Sequence, residues 1–324
     1  MSARTVEDLL AKLRRGGGDR FMGLEEYNLS LMCLCGLRGG RPSLLIIVRD
    51  DVEMPEFSSS EAVTVTMEDH GENGIYLFMT VTDEEYEELF GKFCADLLSV
   101  MDGVSDSAAA LSRLARRYAA WRSFWRNRRG ALTEGQVRGL AGELLYFRKC
   151  LEEGMSATKL VSGWIGPDGG DQDFVFKNSW TEVKTVRQAA DEVNIASLEQ
   201  LVNPTSVEKE HEVDGRLVII RLHGAPSGEN SFTLAELYSD IVKRLNEYPR
   251  ELDRFMVSVE LTGADMKNGN FETKLRLQIV EWSTYQVNKE GFPRIIRDEG
   301  LPVAVTKVSY RLSIPALAPW KIEE

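Results

Sequence analysis

The tightest constraint on how this 324-residue chain folds is the stretch Asp171-Gln172-Asp173-Phe174-Val175-Phe176-Lys177-Asn178-Ser179-Trp180-Thr181-Glu182-Val183-Lys184-Thr185. Two runs of β-branched and aromatic residues flank a polar break at Lys177-Asn178-Ser179, which predicts a β-hairpin. With Asn178-Ser179 as a two-residue loop, Lys177 pairs with Trp180, Val175 falls opposite Glu182 and Asp173 falls opposite Lys184. Asn-Ser is a weaker hairpin signal than Asn-Gly, so the loop type stays open. Side chains alternate across a strand, so Asp173, Glu182 and Lys184 share one face while Phe174, Phe176 and Val183 share the other. The second face suits a core; the first gathers charges that are costly unless solvated or used.

Carboxylates converging on one spot repel each other, and a hard divalent cation with oxygen ligands relieves that repulsion. Mg²⁺ bound through one or two carboxylates, water and a substrate phosphate fits Asp173 and Glu182. The Lys184 ammonium, close by without being a ligand, suits holding or polarising an attacking water while charge builds on a phosphate. The chemistry these residue types predict is phosphodiester hydrolysis.

The Asp173 and Glu182-Val183-Lys184 pattern resembles the PD-(D/E)XK nuclease superfamily, with an acid on one hairpin strand and an acid-x-Lys triplet on the next. The motif's Pro is absent, since Gln172 precedes Asp173, a departure common in the superfamily. Gly139-Leu140-Ala141-Gly142-Glu143-Leu144-Leu145, Trp164-Ile165-Gly166-Pro167 and Ser197-Leu198-Glu199-Gln200-Leu201 more specifically resemble a bacterial group known only by that motif. The likeness extends through most of the chain, including Tyr285-Gln286-Val287 to Val308-Ser309-Tyr310. It implies an α+β fold with a restriction-endonuclease-like αβββαβ core. It also implies Mg²⁺ or Mn²⁺ held by Asp173, Glu182 and the Val183 carbonyl, Lys184 positioning the water, and Glu143 supporting the metal or the water. The activity implied is that of a restriction-like endodeoxyribonuclease of bacterial genome defence, acting on DNA beside a helicase-like ATPase or a DNA methyltransferase.

The net charge of −12 counts against a protein that coats nucleic acid by charge alone, so a DNA-binding surface must be local. The clearest positive stretch is a helix expected from about Ala108 to Arg128. It carries Arg113, Arg116, Arg117, Arg122, Arg126 and Arg128, followed by Arg129, interleaved with Tyr118, Trp121, Phe124 and Trp125. Two readings stand side by side: Arg116, Arg122, Arg126, Arg128 and Arg129 contact phosphates, or the aromatics are core and the arginines a solvated face paired with acids elsewhere.

Cys33, Cys35, Cys94 and Cys150 form no CxxC pair and the histidines are His70, His211 and His223, which argues against zinc, disulfide and histidine-based chemistry. No apolar run reaches transmembrane length and the start, from Met1 to Asp8, is not a signal peptide, so a cytoplasmic location is the default expectation.

The chain divides in this reading into residues 1–104, a β-rich unit; 105–225, the arginine-rich helix and nuclease core; and 226–324, a second β-rich unit. In the first, a helix at Thr5 to Arg15, β runs at Leu44 to Val48 and Gly74 to Met79, and a helix from Thr82 to Met101 are expected. In the second, Thr133 caps a helix with Gln136 closing a capping box, and Val137, Leu140, Leu144, Phe147 and Leu151 form its apolar stripe with Glu143 beside it. A strand at Thr158 to Trp164, the hairpin, a short helix at Asn194 to Leu201 and a buried strand at Arg216 to Leu222 follow. Asp171 is a reserve ligand if the hairpin strand extends backwards, and Ser197 and Gln200 are either supporting contacts to water or phosphate, or a cap and a solvent-facing amide. In the third, Thr233 caps a helix ended by Pro249, and strands are expected at Arg254 to Leu261, Lys274 to Val287 and Ala304 to Ser313. Trp282, Tyr285, Phe292 and Tyr310 read as packing residues.

Two other functions remain compatible with the residues: a nuclease fold that no longer cuts and serves as a DNA-binding or scaffolding subunit, and an interaction protein whose hairpin charges are a solvated face. Double-strand cutting by a chain with one site motivates a homodimer.

Overall fold

The computed structural model describes residues 3–16, 19–23, 27–49, 52–127, 132–204, 213–228, 230–264, 275–297, 301–302 and 304–322. The chain packs as two compact units, residues 1–130 with 252–263, and residues 131–251 with 264–324.

The first unit opens with α1 (Ala3–Gly16) and continues through β1 (Phe21–Gly23), β2 (Met32–Arg38), β3 (Arg41–Val48), β4 (Val63–Asp69) and β5 (Ile75–Val81). These strands form an antiparallel sheet in the order β1-β2-β3-β5-β4. Helix α2 (Glu87–Met101) packs against α1 and against α3 (Ser107–Asn127). Phe90, Phe93 and Leu97 of α2 meet Tyr118, Trp121 and Trp125 of α3 in a core shared with Leu44, Ile46, Leu77 and Met79. The interleaved aromatics of α3 are therefore core. Arg117 is buried with them, donating from Nε and Nη2 to Asp96 at 2.6 and 2.7 Å, while Trp121 Nε1 donates to the same carboxylate at 2.8 Å. Arg113, Arg116 and Arg126 stay exposed and Arg122 is half-buried, whereas Arg128 and Arg129 lie outside the described residues. Helix α3 belongs to this unit rather than to the hairpin unit, so the first unit extends past the expected boundary at residue 104.

The second unit begins with α4 (Glu134–Glu152), capped by Thr133 with the expected Gln136 capping box. Residues 158–164, expected as a strand, lie in α5 (Ala157–Gly163) and its C-cap Trp164. The buried positions Ala157, Leu160, Val161 and Trp164 recur at helical spacing, and the Ser156 hydroxyl accepts from the Lys159 N–H. Next come β6 (Phe174–Val175), β7 (Ser179–Arg187), β8 (Glu192–Ile195) and β9 (Asp214–Gly224). The helix expected at 194–201 is instead the end of β8 and a 3-10 turn, Glu199–Leu201. Val193 and Ile195 are buried on alternate positions, the period of a strand.

Helix α6 (Leu234–Leu245) carries a capping box between Thr233 and Glu236. Pro249, expected to end a helix, opens α7 (Pro249–Leu261), and residues 254–261 are helical rather than extended. Proline suits the first turn of a helix, where its missing N–H costs nothing, and Phe255, Ser258 and Val259 are buried at i, i+3 and i+4. The remaining strands are β10 (Leu277–Gln286), β11 (Tyr310–Ser313) and β12 (Lys321–Ile322).

The sheet order is β12-β10-β9-β7-β6, with β7 and β9 parallel and the other pairs antiparallel. The C-terminal strands thus complete the hairpin's own sheet instead of forming a separate unit, and β11 pairs with β8 in a second layer. The α+β class expected from the sequence is the one observed. Among the described residues no helix is long and apolar enough to cross a membrane.

Candidate active site

The hairpin forms with a register different from the expected one. Phe174 pairs with Thr181 and Val175 with Trp180, and the Phe176 N–H donates to the Ser179 carbonyl at 2.7 Å, so the loop is Lys177-Asn178. The shift is two residues, an even number, so every side chain keeps its expected face. Asp173 now falls opposite Glu182. Phe174 and Phe176 are buried on one face of the hairpin, and Trp180, opposite Val175, is buried on the other.

Both faces of β7 are covered. Val183 and Thr185 lie under α4, and Trp180 packs with Val193, Ile195, Leu201, Leu312 and Leu317 of the second layer. The charged face is consequently not a solvated one: Glu182 is 1% exposed. Its Oε1 lies 2.7 Å from Lys184 Nζ, and its Oε2 is buried with no hydrogen-bond partner.

Strand β6 is short, and where it stops the edge of β7 opens. Asp173 Oδ2 occupies that edge, accepting the Val183 N–H at 2.7 Å. Within a strand the N–H and C=O of one residue point to the same side, so the Val183 carbonyl faces the same opening. The Ile165 and Gly166 N–H groups both donate to the Asp173 carbonyl, at 2.9 and 3.0 Å, and anchor the residue from the α5 side.

Glu143 arrives from α4. Gly142 makes this possible: a Cβ there would stand 2.4 Å from Thr185 Cγ2 and 3.5 Å from Val183 Cγ1, so only glycine lets the helix approach so closely. The Trp164 Nε1–H donates to Glu143 Oε2 at 2.8 Å. A Cβ on Gly166 would lie 2.7 Å from that oxygen and 3.1 Å from Asp173 Oδ1, so the two carboxylates flank one small space.

Lys184 Nζ also donates to Gln200 Oε1 at 3.1 Å, and the same oxygen accepts the Ala196 N–H at 2.8 Å. Gln200 is therefore a lysine partner rather than a solvent-facing amide. Ser197 is half-buried in the bend beside it, and Asp171 is exposed in the bend before the hairpin, because β6 begins only at Phe174 and does not extend backwards.

The electrostatics are those of anions crowded without compensation. Burial pushes the Asp173 carboxyl up to about 6, against the Val183 N–H and Lys184. Burial and then Asp173 hold Glu182 well above the usual carboxylate range, with Lys184 opposing. The same two causes raise Glu143, opposed by the Trp164 N–H and by Lys184. One lysine does not neutralise three carboxylates, and the missing charge is what a divalent cation supplies.

Among the described residues no three Asp, Glu, His or Cys side chains are gathered into a metal cage. An all-oxygen set of two carboxylates, a carbonyl and water is nonetheless what Mg²⁺ takes, and the orphaned Glu182 Oε2 fits such a ligand.

The family model DUF4420, described as "Putative PD-(D/E)XK family member", matches residues 21–315. The chain belongs to this family. No curated protein and no solved structure matches it. Membership in DUF4420 accords with the α+β nuclease-like fold, and the matched span includes Asp173 and Glu182-Val183-Lys184. Sequence reasoning did not single out Gly142, Trp164 and Gly166 for the geometry they carry; a glycine within an apolar helical stripe is the signal that could have identified the first.

Proposed function

We propose that this DUF4420 chain is a divalent-metal-dependent endodeoxyribonuclease of restriction type, serving bacterial genome defence. The observation that carries the proposal is Glu182 Oε2, a buried carboxylate oxygen without a donor, set beside Asp173 and the Lys184 ammonium. Asp173, Glu182 and the Val183 carbonyl would hold Mg²⁺ or Mn²⁺, which when bound supplies Lewis-acid stabilisation of charge on the phosphate.

The protein's own groups do the rest. The Val183 N–H keeps Asp173 turned toward the opening. Glu182 Oε1 and Gln200 Oε1 take two of the three Lys184 donors, leaving the third to hold the attacking water or a phosphate oxygen. Glu143 steadies that water or the cation from the helix side. In-line attack then forms a P–O bond from the water oxygen as the P–O bond to the leaving oxygen breaks, the water giving up a proton to solvent and the leaving oxygen taking one from solvent.

DNA would be attracted locally, since the whole chain carries −12. On α3 the exposed Arg113, Arg116 and Arg126, with half-buried Arg122, offer the positive face. A helicase-like ATPase or DNA methyltransferase as partner, and a homodimer for double-strand cutting, complete the proposal.

A second reading is a non-cutting DNA-binding or scaffolding subunit, favoured by the lack of a three-ligand cage among the described residues. Metal-dependent nicking of plasmid DNA that requires Asp173 and Lys184 separates the two.

A further inference from the structure

We infer that Trp164 is a positioning residue that holds Glu143 in the cation site; the inference rests on the nuclease reading above. Glu143 enters the site from a helix, whereas Asp173 and Glu182 come from the hairpin, so something must fix the carboxylate of one against the carboxylates of the other. The segment Trp164-Ile165-Gly166 does this at both ends. Its indole N–H binds Glu143 Oε2 at 2.8 Å, and its Ile165 and Gly166 N–H groups bind the Asp173 carbonyl at 2.9 and 3.0 Å.

The indole itself has little freedom. Trp164 is 2% exposed, lies edge-on to Phe147 with ring centroids 5.6 Å apart, and stacks on Phe174 at 6.4 Å. Phe147 belongs to the same helix as Glu143 and Phe174 follows Asp173, so the ring that carries the donor is registered against both carboxylate-bearing elements. Gly166 completes the arrangement by leaving the space between Glu143 Oε2 and Asp173 Oδ1 free of side chain. A donor that is rigid, buried and aimed at one carboxylate oxygen fixes the rotation of that carboxylate, as outer partners of metal ligands do.

The test is Mn²⁺ binding measured by calorimetry on the full chain, with cleavage as a second readout. Trp164→Phe keeps an aromatic ring in the core and removes the donor, at the cost of a cavity where the wider indole lay. It should weaken Mn²⁺ binding about 10- to 100-fold, with cleavage recovering at saturating Mn²⁺. Glu143→Gln should weaken binding comparably, and adding Trp164→Phe to it should cost nothing more, since the indole acts through Glu143.

Gly166→Ala, which keeps the indole but puts a methyl against both carboxylate oxygens, should weaken Mn²⁺ binding whether or not the indole acts and so marks the site; Trp164→Leu, taken through the same Glu143→Gln cycle, serves if Trp164→Phe does not fold. Wild-type Mn²⁺ affinity in Trp164→Phe, or a loss undiminished in the Glu143→Gln background, overturns the inference. If neither holds because Asp173→Asn binds Mn²⁺ as tightly as wild type, the cation lies elsewhere, and the nuclease reading fails first and takes the inference with it.

Discussion

Lys184 Nζ lies 2.7 Å from Glu182 Oε1, an ion pair in which the carboxylate is 2% and the ammonium 19% exposed. Removing the lysine leaves a buried carboxylate beside Asp173 with no opposite charge. Lys184→Ala should lose about 3 kcal/mol of stability at pH 8 without metal and cut DNA at least about 100-fold more slowly. Mn²⁺ should restore much of the melting temperature and none of the cleavage, because the cation replaces the charge but not the donor. Parallel thermal melts and plasmid assays check both halves.

The carboxylates also set a pH dependence. Asp173 rises from 3.8 to about 6 in the folded protein, and Glu143 and Glu182 shift the same way. A raised carboxyl binds more protons folded than unfolded, so its stabilising contribution is complete below 3.8 and is lost as pH climbs through about 6. The metal-free protein should therefore shed Asp173's share of stability as pH climbs from about 4 to about 6, with Glu143 and Glu182, raised further, adding losses in the same direction. Mn²⁺ should raise the melting temperature more at pH 7.5 than at pH 5, where protons compete for the same oxygens. Equal metal-induced shifts at the two pH values would contradict this.

Two glycines of α4 should respond oppositely to alanine. Gly142→Ala drives a methyl to 2.4 Å from Thr185 Cγ2; it should destabilise by about 1–3 kcal/mol and depress cleavage by moving Glu143. Gly139, in the same helix, has nothing within 4 Å of an added Cβ. Gly139→Ala should stabilise by about 0.5–1 kcal/mol with cleavage unchanged. Urea midpoints and rates on the two variants decide.

In the first unit the Asp96 carboxylate accepts Arg117 twice and Trp121 once, all out of solvent. Asp96→Ala strands a buried guanidinium and should cost about 3–5 kcal/mol, read as a fall in the denaturant midpoint.

The exposed arginines of α3 should behave differently. Arg116→Ala with Arg126→Ala should leave stability within about 0.5 kcal/mol of wild type. The pair should weaken DNA binding alike for all sequences and lower the salt slope by about 0.9 for each phosphate contact removed. An unchanged slope would return α3 to a plain solvated face.

Local rules made much of this legible. The Thr133–Gln136 capping box rests on residues three apart and appeared as read, as did the Thr233 cap, whose box with Glu236 the structure adds. The shared face of Asp173, Glu182 and Lys184 survived a wrong loop because face depends on parity and the slip was even.

What failed was decided by neighbours the sequence does not announce. The Thr158 to Trp164 run has strand-forming residues, yet Ser156 caps it and its apolar spacing meets α4 and the sheet as a helix. Pro249 suits a helix start as well as a stop, and burial of Phe255 and Val259 selected the start. The role of Gln200 depends on the path of the chain from β8 into a 3-10 turn, and the closeness of Glu143 depends on a glycine contact across the sheet. Neither is written in a single segment.

The most direct test of the central claim is cleavage of supercoiled plasmid by the purified protein with Mg²⁺ or Mn²⁺, beside folded Asp173→Ala and Lys184→Ala proteins. The account predicts nicking or linearisation that requires the metal and disappears in both variants. Wild-type protein as inert as the variants, even with the products of neighbouring genes added, would contradict it and leave the non-cutting subunit.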